Sequence, residues 1–456
     1  MARLFGTNGI REVVGGPFTA PFVTRVAAAI ASVVPPGRPI AVGWDGRTSS
    51  PAFSRIVSGT LALAGHRVIE LGLLPTPAIQ YSVPRVGAGL GLIVTASHNP
   101  PEFNGIKCIA SEGLEASREF EEAIEAAVEH GATPSMPFDR IGEIASDPQG
   151  AHRYLDGILG LVDRGRIAAR KFTVVLDCAN GASVVTSPTL LRRLGCRVVT
   201  LNGQVDGTFP GHFPEPTEAN LADLRRTVST VGADLGIAHD GDADRAVYVD
   251  SSGRYVPGEE MLALLARDAV ERHHGGVVVT SISSPQSVED AIRPHGGTVE
   301  YTRVGSPAIS HAMQRTGAVF GGEDNGGLIF PEFQLARDGA MSVAATLDLV
   351  ARAGRPLADL LRELPHYTLL KEKVDCPVTR RAAVLDRVGE TLTAGAERVV
   401  TLDGLKVYRD GGWVLVRPSG TEPLLRVIAE AKDAPAARAL ADRALAAVRA
   451  AVAAPG

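Results

Sequence analysis

"PIAVGWDGRTSSPAFSRIVSGTLALAGHRVIELG", residues 39–72, decides the fold. Two short runs rich in β-branched residues bracket a longer stretch whose apolar positions are interrupted by polar ones, the pattern of buried strand, crossover helix and buried strand. The order strand, turn, helix, glycine, strand recurs in "KFTVVLDCANGASVVTSPTLLRRLGCRVVTLNG", residues 171–203, and in "GVVVTSISSPQSVEDAIRPHGGTVEYTRVG", residues 276–305. Gly65, Gly195 and Gly296 stand where each helix should end, a position that favours a left-handed residue. Three copies of one α/β domain are predicted.

Periodicity lapses at Ser146–His152, Asp250–Arg254 and Leu364–Thr368, which sets expected domains at 1–149, 150–250, 251–365 and 366–456. The last quarter has a different pattern. A strand in "KEKVDCPV" and a helix from about Arg380 precede "LKVYRDGGWVLVRP", whose Asp-Gly pair between alternating runs signals a hairpin. A further strand "LLRVIAEA" and an Ala-rich amphipathic helix from Pro435 close the chain. The expected class is α/β: three similar mixed α/β domains plus a smaller α+β C-terminal domain around a central cleft.

Composition narrows the function. Hydrophobic residues are 45% and charged ones 21% of 456 residues, and the net charge of −5 argues against a nucleic-acid partner held by counterion release. Four cysteines, Cys108, Cys178, Cys196 and Cys376, are too scattered for a zinc site or a disulfide framework and read as buried small hydrophobes. "MARLFGTNGIREVVGG" lacks a signal peptide's apolar core, and no stretch approaches ~18 apolar residues, so a cytoplasmic protein without a membrane span is expected. A homo-oligomer is compatible with this composition.

"VTASHNPPEF", residues 94–103, puts Ser97 just beyond the apolar run "LGLIV", where ligands bind in open α/β sheets. Asn99, Pro100 and Pro101 stiffen that loop, so the serine is presented rather than mobile. A polar turn is the plain alternative. A hydrolase triad is disfavoured without G-x-S-x-G.

"HDGDADRAVYVD", residues 239–250, alternates Asp240, Asp242 and Asp244 between two strands, and an extended backbone there would aim all three carboxylates one way. Hard oxygens without His or Cys favour Mg²⁺. A solvated acidic turn is one alternative. An EF-hand fails, because Arg245 stands where its glycine belongs and Ser251 where its glutamate belongs. An aspartyl-phosphate phosphatase also uses D-x-D, but here a third Asp and an Arg follow, and Arg245 suits a phosphate beside the ion.

"RPSGTEP", residues 417–423, follows a strand and gathers Arg417, Ser419, Gly420 and Thr421 as an oxyanion cradle or, alternatively, a locally capped turn. "GGEDNGG", residues 321–327, holds Glu323 and Asn325 on a glycine-framed loop suited to sugar hydroxyls, or simply a hairpin turn. Arg11 in "FGTNGIRE" and Lys107 in "NGIK" are two further cations, each alone readable as a surface charge. His273 and His274 read as exposed.

Together "TASHNP", "DGDADR", "GEDNGG" and "RPSGTEP", one motif per domain in that order, resemble the α-D-phosphohexomutase family over essentially the whole chain. The start "FGTNGIR" and the "RPSGTEP" motif look most like its phosphoglucosamine-directed members. The resemblance implies four domains around a cleft, a phosphoserine at Ser97, and Mg²⁺ held by that group with Asp240, Asp242 and Asp244. It also implies sugar contacts from Glu323 and Asn325, and a phosphate clamp of Arg417, Ser419, Gly420 and Thr421. Many bacterial members carry serine where this chain has Asn325 and histidine where it has Gly327, so an acid/base role for that histidine does not transfer, and the family's familiar glycine after the first-loop arginine is Glu12 here.

The reaction expected is movement of a phosphoryl group between O6 and O1 of a hexose phosphate through a sugar bisphosphate. Arg245, Lys107 and Arg11 would neutralise the reacting end, and Lys107 or His98 would handle a hydroxyl proton. Glucosamine phosphate is the expected substrate; mannose or glucose phosphate, a phosphatase, and a non-catalytic phosphosugar sensor are the rivals.

Overall fold

In the computed structural model, which describes residues 4–419 and 423–454, each of the three strand–helix–strand segments folds as its pattern predicts. The first sheet contains β1 (Ile10–Val13), β2 (Ile40–Trp44), β3 (Val68–Leu73), β4 (Leu90–Val94), β5 (Phe103–Ala110) and β6 (Ile144–Ser146), in the order β1-β5-β4-β2-β3-β6. The second contains β7 (Thr173–Asp177), β8 (Arg197–Leu201), β9 (Leu235–His239), β10 (Ala246–Asp250) and β11 (Tyr255–Val256), ordered β11-β10-β9-β7-β8. In the third, β12 (Gly276–Ser281), β13 (Gly297–Thr302), β14 (Phe320–Gly322), β15 (Leu328–Phe330) and β16 (Gln334–Arg337) run β13-β12-β14-β15-β16.

Aligned on their parallel pairs, these sheets share one plan. β3-β2-β4-β5, β8-β7-β9-β10 and β13-β12-β14-β15 each comprise three parallel strands and a fourth that turns back antiparallel. The crossover helices Ser50–Leu63, Ser187–Arg193 and Gln286–Ile292 join the parallel pairs. Gly65, Gly195 and Gly296 follow them at φ 92°, 82° and 78°, left-handed as their positions require.

The fourth sheet is antiparallel throughout. It orders β17 (Thr368–Asp375), β18 (Arg398–Val400), β19 (Leu405–Arg409), β20 (Gly412–Pro418) and β21 (Leu424–Ala431) as β17-β21-β20-β19-β18. Asp410 and Gly411 link β19 to β20 with φ 52° and 71°, the two positive values that a tight hairpin turn demands. Helices Arg381–Leu392 and Ala434–Ala453 cover this sheet.

One apolar cluster runs through the first three domains, and Tyr81, Tyr154 and Phe333, one from each, meet in it with Tyr81 stacked on Phe333 at 4.5 Å. The fourth domain keeps its own core and touches the third through Ile282, Trp413, Leu415 and Ile428. Polar bonds reinforce that joint: Lys406 Nζ donates to the Ile282 carbonyl at 2.9 Å, and Glu430 accepts from the Gln286 amide at 2.9 Å and from Trp413 Nε1 at 2.7 Å. All four cysteines are buried and unpaired, and His273 and His274 are exposed. Among the described residues no helix is long and apolar enough to cross a membrane.

The shared plan positions function. The β4–β5 loop carries Ser97, the β9–β10 loop the three aspartates, and the β14–β15 loop Glu323 and Asn325. Each leaves the carboxyl end of the strand in the same slot of its sheet, the end where open α/β sheets bind ligands.

Candidate active site

Ser97 stands in a loop fastened by a residue whose role the motifs do not reveal. Arg47 is 1% exposed, and its guanidinium donates to four carbonyls of the serine loop. These are Ser97 at 2.8 Å, Asn99 at 2.6 Å, Pro100 at 2.7 Å and Phe103 at 2.9 Å. Asp45 orients the guanidinium through Nε at 3.2 Å and accepts from Thr95 at 2.6 Å, whose hydroxyl in turn receives the Ser97 amide. Ser97 itself lies at φ 51°, a left-handed value that costs a side-chain-bearing residue on the order of 1 kcal/mol. Five donors matched to fixed acceptors hold it there.

The acidic loop corrects one expectation. It is a tight turn rather than an extended segment: Ala243 has φ 57°, and its amide bonds the Asp240 carbonyl at 3.1 Å. The carboxylates of Asp240, Asp242 and Asp244 nonetheless converge, each offering an oxygen within 4.8 Å of the others. Turn closure, not strand alternation, brings them together. Ser97 Oγ donates to Asp240 Oδ2 at 3.1 Å across 143 residues of sequence.

Cations and hydroxyls from other strands complete the cluster. Lys107 on β5 donates to Asp242 at 2.8 Å and lies 3.5 Å from Asp244. Thr76 adds a hydroxyl bond to Asp242 at 2.7 Å, with its amide on the Asp242 carbonyl at 2.9 Å. Arg245 lies 3.9 and 3.8 Å from Asp240 and Asp244 and donates to His98 Nδ1 at 3.0 Å. Arg11 donates to Asn99 Oδ1 at 2.9 Å, which sets its guanidinium against the serine loop.

Electrostatics follow from this crowding. Burial first, then the charges of Asp244 and Asp242, push the Asp240 carboxyl well above its ordinary range. Burial alone would raise Asp242 too, but the Lys107 ammonium and the Thr76 hydroxyl outweigh it and hold that carboxyl low. The Arg245 cation, burial and Arg11 together push His98 well below 6.5, so its imidazole is neutral and accepts from Arg245. Burial lowers Arg11 to about 10, which leaves it charged at neutral pH.

Four buried atoms here have no hydrogen-bond partner: the acceptors Asp242 Oδ1 and Asp244 Oδ1, and the donors Arg245 Nε and Arg337 Nε, of which Arg245 Nε and Asp244 Oδ1 face each other at 3.8 Å. Buried polar atoms are otherwise almost always satisfied, so the cluster is incomplete as it stands. Two stranded carboxylate oxygens beside a third aspartate fit a hard divalent cation such as Mg²⁺, and two stranded guanidinium donors fit an anion beside it.

The β14–β15 loop reaches this cluster through Arg337 on β16, another residue outside the motifs. It donates to Glu323 Oε2 at 2.9 Å and to Asp244 Oδ2 at 2.6 Å. Asn325 uses its side-chain oxygen locally, accepting from the Gly327 amide at 3.1 Å, as the hairpin-turn alternative anticipates. Arg417 pairs with Asp403 at 3.1 Å, and Ser419 is buried with its amide on the Leu424 carbonyl at 3.0 Å. Gly420 and Thr421, the other expected members of the cradle, lie outside the described residues.

A buried serine on a carboxylate trio, ringed by guanidinium and ammonium groups and tied to the β14–β15 loop, is the equipment of an enzyme that transfers phosphoryl groups. Family models for phosphoglucomutase/phosphomannomutase alpha/beta/alpha domains I, II and III and the C-terminal domain match residues 2–134, 152–253, 257–367 and 374–447. The chain is 39% identical to the "Probable phosphoglucosamine mutase" of Methanopyrus kandleri, with 97% of each chain covered. It is 38% identical to a "Phosphoglucomutase/phosphomannomutase" of Thermococcus kodakarensis, with 96% of each covered. A crystal structure of a phosphoglucomutase/phosphomannomutase family protein from Burkholderia thailandensis superposes with a TM-score of 0.89 at 26% identity, over 100% of this chain and 98% of that one. This chain belongs to the phosphoglucomutase/phosphomannomutase family, isomerases of the phosphohexomutase type.

Proposed function

We propose that this enzyme interconverts hexose 6-phosphate and hexose 1-phosphate by way of a phosphoserine at Ser97 and a sugar 1,6-bisphosphate. The 3.1 Å approach of Ser97 Oγ to Asp240 carries the reading, because it joins the serine of the β4–β5 loop to the acidic trio. In the first half-reaction the free sugar hydroxyl forms a bond to phosphorus as the bond from Ser97 Oγ breaks. The hydroxyl proton passes to the serine oxygen by way of Lys107. After the bisphosphate turns over in the site, the reverse transfer returns the other phosphoryl group to Ser97.

Asp240, Asp242 and Asp244, with an oxygen of the phosphorylated Ser97, would hold Mg²⁺. When bound, that ion supplies counter-charge to the phosphoryl oxygens. The remaining work belongs to the chain. Arg245 and Arg11 flank the serine loop and stabilise charge on the transferring group, and neutral His98 keeps the Arg245 fork in place. Glu323 and Asn325 read hydroxyls common to both sugar orientations, and Arg417, Ser419, Gly420 and Thr421 hold the phosphate that is not reacting.

Glucosamine phosphate is the substrate we favour, in line with the name of the 39% identical relative. Mannose and glucose phosphates are the second reading, favoured by the name of the one at 38%. Four unpaired cysteines suit a reducing compartment, and we assign the enzyme to the cytoplasm.

Turnover of glucosamine, mannose and glucose 6-phosphates, each with Mg²⁺ and a trace of the matching bisphosphate, identifies the sugar. Ser97→Ala should abolish turnover and the covalent phosphate seen by intact mass. Retained activity with phosphate on another residue would overturn the mechanism. Release of inorganic phosphate without 1-phosphate would indicate a phosphatase instead.

A further inference from the structure

Among the described residues Arg337 is the one side chain that bonds a carboxylate of the sugar loop and a carboxylate of the acidic loop at once. It is 5% exposed, and its two terminal nitrogens are each committed to a different loop, NH1 to Glu323 and NH2 to Asp244. Burial alone would lower its pKa, but Asp244 and Glu323 raise it, so the fork stays charged. A planar guanidinium fixes the relative positions of two acceptors in a way that an ammonium does not. The loops so joined belong to different domains, 93 and 14 residues away from Arg337 in sequence.

The path of this side chain depends on a glycine. A Cβ at Gly327 would stand 2.4 Å from Arg337 Cδ, 3.2 Å from Asn325 Oδ1 and 3.3 Å from Arg337 Cγ. Gly327 does not have a left-handed φ, so its backbone conformation is open to alanine and space is what a side chain would lack there. Because both ends of the fork are pinned, pushing Cδ aside withdraws the guanidinium from Glu323, Asp244 or both.

We propose that Arg337 is a positioning residue of the phosphoryl-transfer site, setting the sugar-reading carboxylate Glu323 in register with the acidic loop, and that Gly327 is the position that leaves it room. This rests on the reading of Glu323 as a sugar contact and of Asp244 as a member of the metal site. Residues that orient ligand-bearing carboxylates from behind typically affect affinity or activity by roughly 10–100-fold. Since the fork touches both loops, its loss raises the KM for hexose phosphate and lowers kcat together. A residue serving only the fold would lower thermal stability with both constants unchanged.

The test is a double-mutant cycle with Arg337→Met, Gly327→Ala and the pair, plus Arg337→Lys, in the full-length protein. kcat, KM and the calorimetric Kd for the preferred hexose 6-phosphate are measured, with melting curves to establish folding. We expect roughly 10–100-fold losses from Arg337→Met, a change in the same direction from Gly327→Ala, and partial rescue in Arg337→Lys. The double variant should be little worse than Arg337→Met, because the severe crowding by a side chain at 327 is with the arginine. Wild-type constants in folded Arg337→Met or in Gly327→Ala, or losses that multiply in the double variant, would overturn the proposal. If Arg337→Met does not fold, Arg337→Lys takes its place in the cycle. A wild-type protein that binds none of the three hexose phosphates removes the functional reading itself, and this inference with it.

Discussion

At the scale of single residues, the site divides into groups that announce themselves and groups that do not. Ser97 and the aspartates sit in short local patterns whose chemistry can be read from neighbours, and their convergence follows from loops leaving equivalent strands. Arg47, Thr76 and Arg337 carry no such sign. Their partners lie 50, 166 and 93 residues away, and each arginine is one of 46 basic residues. Only the packed molecule shows that Arg47 satisfies four carbonyls of the serine loop. Replacing it with methionine strands those carbonyls and its partner Asp45, so Arg47→Met should destabilise the protein by about 3–5 kcal/mol in urea unfolding. Arg47→Lys should recover little, because one ammonium cannot reproduce the fork. In whatever fraction folds, kcat should fall with KM little changed, since the serine loop rather than the β14–β15 loop has lost its fastening.

At the scale of elements, strand and helix order was legible because the apolar period changes cleanly between them, and the Asp410–Gly411 hairpin because its turn needs two positive φ values. The acidic loop departs from its expected form, since D-x-D-x-D spacing fits an extended strand and a closed turn alike. Ala243 adopts the left-handed conformation that local pattern gave no reason to expect there. The loop at 203–217 is a further element to test. Its Phe209 ring lies 5.2 Å from the Arg47 guanidinium, and its His212 bonds Asp177 at 3.2 Å. Burial alone would lower His212, but the hydrogen bond and charge of Asp177 outweigh it and raise the imidazole above 6.5. Asp177 is raised by burial but more strongly lowered by His212, Asn202 and the Ala179 amide, to below 3.8. The histidine's contribution is therefore complete below 6.5 and lost as pH climbs through its raised value, and the aspartate's is present above 3.8 and lost as pH falls through its lowered one. Hydrogen exchange in 203–217, corrected for intrinsic rate, should be slowest between 3.8 and 6.5 and quicken on the alkaline side. His212→Gln should remove that alkaline dependence.

At the scale of the whole molecule, the first three domains share one apolar body, whereas the fourth is attached by a small cluster and a few polar bonds. Trp413 is central to that joint: it packs beside Ile282, lies under the Lys406 ammonium at 3.7 Å and donates to Glu430. Nothing in "GGWVLV" distinguishes it from an ordinary strand residue, because the neighbour that makes it part of a joint, Ile282, comes from the third domain. Trp413→Ala should cost about 3–5 kcal/mol and split calorimetric unfolding into an early transition of the fourth domain and a later one of the rest. A single unshifted transition would show the joint to be energetically idle. The cysteines have a practical consequence on this scale. Burial raises the Cys178 and Cys196 thiols to about 12 and raises Cys108 too, and none of the four cysteines meets solvent freely. Thiolate is the form that peroxides and alkylating agents attack. The folded enzyme should therefore keep its activity in buffers without reductant and ignore iodoacetamide, which makes labelling by that reagent a direct gauge of how much of a preparation has come unfolded.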